Sequence, residues 1–213
     1  MTDYENAIKR PFQDIGKFVI GALLSIIPVV NFIATGYTLN CAKTAMKKDY
    51  KLPEWTDWVN LFIQGLIVAV IGFIYMIPAL IVLIAFVGTS LLAISSDPNS
   101  MGGIGLGGMG IGFLAYFVLL LVALYILPAA IMEYVKNNSS FGSAFRFGEI
   151  KNRILSTDYL IVWLVVLVYS IVVVGVLSII PIIGSAIGIF AAEVTSMTLF
   201  GELYSTKEAS VEP

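Results

Sequence analysis

Few side chains in this 213-residue chain are placed to do chemistry, and the sharpest of them is Glu193. It lies in the apolar run GIFAAEVTSMTLF, nine residues from the next charge, Glu202. A carboxylate isolated among apolar side chains holds a proton or a cation, or pairs with a neighbour, because a bare charge at mid-bilayer costs about 3 kcal/mol or more. Other chemistries find little material. The chain has no His and a single Cys, Cys41, set in an apolar run. Those counts exclude an intrachain disulfide, a His-ligated metal and a Cys cluster, and Cys41 reads as a small packing residue. Neither a Ser-His-Asp set nor paired carboxylates nor a phosphate loop is present, so neither catalysis nor a cofactor is expected. The GxGxxG match at Gly103, Gly105 and Gly108 lacks the preceding strand and the later acid that dinucleotide binding requires. It reads instead as a mobile, glycine-rich external loop resting on the outer leaflet.

The elements that must position Glu193 follow from composition. The chain is 59% hydrophobic and 12% charged, about half the charge of an ordinary soluble domain. Residues 18–42, 58–96, 98–132 and 159–192 hold no Asp, Glu, Lys or Arg. A membrane-spanning helix needs about 20 apolar residues, so this is an all-α, polytopic integral membrane protein. The opening MTDYENAIKRPFQD has no small-residue cleavage pattern, and no removable signal peptide is expected.

All twelve basic residues fall in four groups: Lys9, Arg10 and Lys17; Lys43, Lys47, Lys48 and Lys51; Lys136, Arg146, Lys151 and Arg153; and Lys207. The positive-inside rule places these groups in the cytoplasm and segment 95–112 outside. Both chain ends then face inward across the cell membrane. Parity requires about six helices in one domain over 1–213, near 12–28, 30–48, 60–94, 112–136, 157–180 and 183–205. For 12–48 the expectation is a hairpin of two short helices; one long kinked helix is the alternative. Near 139–155 an interfacial helix is expected.

The stretches LSIIPVV (24–30) and LSIIPII (177–183) are near copies, and the prolines 28, 78, 128 and 181 are spaced by 50, 50 and 53 residues. The pattern predicts two Pro-tipped terminal hairpins around a central kinked pair, with possible internal pseudo-symmetry. Aligning Ser25 with Ser178 sets Asn40 opposite Glu193 and Lys43 opposite Ser196. The candidate intramembrane polar site is therefore Glu193 and Ser196 facing Thr35, Asn40 and Lys43. A structural Glu–Lys or Glu–Asn clamp is favoured there over a proton or cation site. Two connections look amphipathic. KLPEWTDWVNLF offers Trp55 and Trp58, and SSFGSAFRFGEIKNRIL offers Arg146, Lys151 and Arg153, as candidate contacts to lipid headgroups.

PFQDIGKFVIGALLSIIPVVNFIATGY, KLPEWTDWVNLFIQGL and LPAAIMEYVKNNSSFGSAFRF together resemble the prokaryotic membrane family called domain of unknown function 4013, common in archaea. The SFGSAFRF segment is also similar to one in the membrane region of some glycerophosphodiesterases. The resemblance implies a multi-pass helical fold and carries no catalytic residue. The expected function is a non-enzymatic accessory or membrane-organising protein that binds membrane lipids, itself or other membrane proteins, without nucleic acid. A small transporter or channel built around Glu193 is the alternative.

Overall fold

A computed structural model describes residues 2–205; the tail KEASVEP (207–213), expected to be loose and carrying the basic Lys207, lies outside the described residues. Among the described residues every regular element is helical: α1 (Tyr4–Lys9), α2 (Ile15–Ile26), α3 (Asn31–Met46), α4 (Trp58–Ser96), α5 (Ile104–Lys136), α6 (Phe147–Ile154), α7 (Thr157–Leu177) and α8 (Ile183–Ser205), with short 3-10 turns at Arg10–Phe12, Pro98–Met101 and Phe141–Phe145. Four of them, α4, α5, α7 and α8, are long and apolar enough to cross a membrane. With 12 and 16 residues, α2 and α3 reach about 18 and 24 Å, short of a hydrocarbon core of about 30 Å.

The described residues divide into two compact units. Residues up to Ile71 and from Pro128 onward form the first, and Gly72–Leu127 the second. Within the second, α4 and α5 pack closely: a Cβ at Gly108 would strike Ser90, and one at Gly112 would strike Phe86. In this pair Ile84, Leu92 and Leu114 are each about two-thirds exposed. The glycine-rich segment, expected as a loop, is helical here. Residues 97–103 connect the two helices, and Gly105 and Gly108 lie within α5. Its neighbours Leu106, Ile111 and Phe113 supply enough apolar surface for a helix in a setting where backbone groups must bond internally.

In the first unit, residues 12–48 form two helices joined by a turn, not one kinked helix. Asp14 caps α2, accepting from Lys17 N, and Pro28 stops it. The second copy of the motif closes an equivalent turn between α7 and α8. In each, the residue after the proline takes a left-handed backbone, Val29 at φ 73° and Ile182 at φ 64°. In each, an N–H closes the same bond, Asn31 N to Ile27 O and Gly184 N to Ile180 O, both 3.0 Å. Residues 27, 29 and 31 thus correspond to 180, 182 and 184, in the register the sequence alignment gives.

The arms continue the correspondence. Aligned residues Tyr37 and Phe190 meet with ring centroids 6.1 Å apart, and aligned Cys41 and Val194 share one buried core. Farther along, Ala42 backs onto Gly201. Contacts that advance together along both helices mean that α3 and α8 run parallel. On its other side α3 meets the first turns of α4, backbone to backbone. A Cβ at Gly36 would strike the Leu61 carbonyl, and one at Gly65 would strike that of Phe32.

Residues 51–57, expected as part of an interfacial helix, are irregular, and α4 begins only at Trp58. Pro53 disfavours a helix there, and the side chains of Leu52 and Trp55 find better burial by turning into the bundle.

Candidate functional site

At the end of the first unit away from the proline turns, the last turns of α3 and α8 meet a set of buried polar side chains. Arg10 is fully buried. Its Nη1 donates to Cys41 O at 2.8 Å and to Thr198 Oγ1 at 2.9 Å, and its Nη2 donates to Thr44 Oγ1 and to Lys51 O at 2.9 Å. None of these acceptors is a carboxylate. The site is still favourable for a cation, because hydrogen bonds from an ionised donor are strong even to neutral oxygens. One guanidinium thereby joins α3, α8 and the segment entering Leu52.

A second buried arginine serves α8 in the same way. Arg153 donates from Nη1 to Leu203 O at 3.4 Å, and its guanidinium carbon lies 4.2 Å from the centre of the Tyr204 ring. Tyr204 in turn donates to Ala129 O at 3.1 Å, fastening the end of α5. Nearby, Glu133 is buried and accepts from Asn137, and Ser143 donates to Glu133 O at 3.0 Å. Glu202 accepts from Asp3 N at 2.7 Å. Burial first, and then the hydrogen bond to Glu202, push the Tyr50 hydroxyl well above its usual range.

An aromatic strap lies higher between the arms of the first hairpin. Trp55 stacks on Tyr37 with ring centres 3.8 Å apart and planes 9° from parallel, and both face Phe190. Trp55 Nε1 donates to Lys17 O at 3.1 Å, and Tyr37 Oη donates to Pro53 O at 2.9 Å. Lys17 Nζ closes the strap, donating to Leu52 O at 3.0 Å and to Glu54 at 2.7 Å. Residues 52–55 therefore tie α2 to α3 through bonds to both.

The residues singled out from the sequence are placed as follows. Glu193 stands on α8, half-buried, and among the described residues no hydrogen bond or ion pair reaches it. The expected clamp to Asn40 or Lys43 is absent. Lys43 donates instead to Gln64 Oε1 on α4 at 3.2 Å, because Asn40 and Lys43 share the α3 face with Gly36, which is turned to α4. Thr35 offers its carbonyl to Thr38, and Ser196 donates to its own helix at Ala192 O. Of the expected headgroup contacts, Trp58, Arg146 and Lys151 are exposed, with Arg146 donating to Asn137 Oδ1 at 3.2 Å. Trp55 and Arg153 are not headgroup contacts: the first is stacked in the strap and the second is buried beside Tyr204.

In the sequence Arg10 reads as one more orienting charge next to Lys9, and the one local hint of its role is Pro11, which fixes the chain as it turns inward. Among the described residues no group of His, Cys, Asp and Glu could hold a metal ion.

A family model described as a protein of unknown function, DUF4013, matches residues 20–182. The match takes in Pro28, Pro181 and all of α3 to α7, and it stops before Glu193. No curated protein and no solved structure matches the chain. Because the family model spans more than half of its length, from within α2 to the tip of the second hairpin, the chain belongs to the DUF4013 family.

Proposed function

We propose that this protein is a non-enzymatic, multi-pass accessory protein of the cell membrane, with both termini cytoplasmic, that works by binding lipid or partner membrane proteins. The observation that carries the reading is the division of labour among its side chains. The buried cations Arg10 and Arg153 are engaged with backbone carbonyls, hydroxyls and a tyrosine ring, roles that hold helices together. The outward faces of the long helices are apolar, with Ile84, Leu114, Val168 and Ile171 more than half exposed. Between α2 and the start of α8 lies an apolar groove of about 160 Å³, bounded by Phe18, Ala22, Ile26, Ile183 and Ile187, which suits an acyl chain. Exposed Arg146 and Lys151, beside exposed Phe141 and Phe147, suit anionic headgroups.

The test is reconstitution. Proteoliposomes should pass protons, sodium and potassium no faster than protein-free vesicles, while the purified protein retains bound lipid through detergent exchange, read by native mass spectrometry. Flux above background that vanishes in a folded Glu193→Gln variant would overturn the accessory reading and favour a transporter.

A further inference from the structure

From Ser185 onward, α8 is buried except along one stripe. Apart from Ile187, which packs against the core, its open positions up to Met197 are Ser185, Ile189, Glu193, Ser196 and Met197, spaced four, four, three and one. At 100° per residue these fall on a single side of the helix. Glu193 lies near the middle of this 23-residue span. Both serines are already satisfied: Ser185 bonds Ser178 Oγ at 3.1 Å, and Ser196 bonds Ala192 O at 2.6 Å. The carboxylate is not, because among the described residues neither a hydrogen bond nor an ion pair reaches it.

The chain's own inward cations are committed elsewhere. Lys43 is turned to Gln64, Arg10 to the end of α3, and Arg153 to the end of α8. A charge left bare at mid-span is costly, and membrane helices recover that cost by pairing such residues with one another. Ser196, one turn from Glu193, and Ser185, two turns before it, are small, and serines are frequent where membrane helices approach closely.

We propose that this stripe of α8 is a docking face for a transmembrane helix of a partner protein that carries a lysine or arginine at mid-span, with Glu193 as its counter-charge. The proposal rests on the accessory reading above and gives the partner its chemistry. Ile189, 43% exposed, supplies apolar contact one turn from the charge pair. Ser185 and Ser196 mark the close approach.

The experiment uses the full chain, dye-labelled at a cysteine introduced in place of exposed Lys48, in vesicles with synthetic leucine-alanine helices about 20 residues long. One helix carries a central lysine and the other a central leucine. Energy transfer should show the lysine helix associating about fivefold or more tightly, the range expected for one good polar contact in a membrane. Glu193→Gln should remove the preference while melting like the wild type, and Glu193→Asp should keep most of it. Equal association of the two helices with the wild type, or a lysine preference that survives Glu193→Gln, would overturn the proposal. Energy transfer between two labelled copies that depends on Glu193 would also overturn it, by assigning the stripe to self-association. Cation flux that depends on Glu193 would sink the accessory reading as well, whereas no preference and no flux would sink only the docking face.

Discussion

In the α7–α8 hairpin the arms pack directly on each other, with Gly188 so close to α7 that an added Cβ would lie 3.0 Å from Val174 Cα. In the α2–α3 hairpin the arms part. There Gly21 of α2 faces the ring of Phe190 on α8, and α2 leans on α8 more than on its own partner. The gap is filled by residues 52–55, with Trp55 laid on Tyr37. Two turns of the same geometry thus close two hairpins of different construction: one is held by its own helices, the other by a segment that follows it. The shared LSIIP motif fixes how the chain reverses, and residues far from the motif decide how the arms are held.

Both hairpins are preceded by a buried arginine that bonds a carbonyl in the C-terminal half of the second arm, Arg10 at Cys41 of α3 and Arg153 at Leu203 of α8. The two differ in how much depends on them. Arg10→Ala removes four hydrogen bonds from an ionised donor and leaves a cavity where a fully buried side chain stood, so the expected loss is about 3–5 kcal/mol. Arg153→Ala removes one long bond and a contact with the Tyr204 ring, an expected loss of about 1–2 kcal/mol. Denaturant titrations of the two variants in one detergent measure the difference. Equal losses would mean that the arginines are interchangeable and that the open hairpin does not depend on its base.

The strap gives the next largest effect. Trp55 is half-buried and carries a ring stack and one hydrogen bond, so Trp55→Ala should cost about 2–3 kcal/mol, somewhat less than truncating a fully buried Trp. The loss should be local. Amide exchange ought to speed up in residues 15–26, which the strap ties down, and to stay unchanged in 157–177. Acceleration of both helices alike would show that the hairpins unfold as one unit and that the strap does not act on α2 selectively.

Much of the architecture is legible in the sequence, because the hydrocarbon solvent imposes it. Charge-free runs give the long helices, and the repeated Pro-containing motif gives the two turns in their register. The site is less legible, for two physical reasons. First, a basic residue near a membrane helix carries meanings that sequence cannot separate: Arg10 reads as an orienting charge and Arg153 as a headgroup contact, and both are buried. Second, aromatic spacing does not reveal which solvent a ring will choose. Trp55 and Trp58 are three apart and look like one helical face, yet the backbone turns after Pro53 and only Trp58 faces outward. The expected partnership of Glu193 with Lys43 failed for a related reason. The alignment pairs residues that occupy equivalent places, and equivalent places need not touch. Tyr37 and Phe190 meet, but Lys43 is bonded to Gln64 on α4.

The smallest effect tests the equivalence of the turns. Val29 and Ile182 are β-branched residues held at positive φ, a conformation that crowds Cβ against the backbone and is costly for such side chains. Neither recovers that cost by packing, since they are 60% and 70% exposed. Asparagine tolerates the left-handed region far better, so Val29→Asn and Ile182→Asn should each stabilise the protein by about 1 kcal/mol. The two sites belong to different hairpins and share no partner, so the double variant should gain about twice as much. Equal and additive gains would sharpen the comparison, placing the whole difference between the hairpins in their arms. A gain at Ile182 alone would break it, because the open hairpin would then yield at its arms before the strain at its tip could be felt.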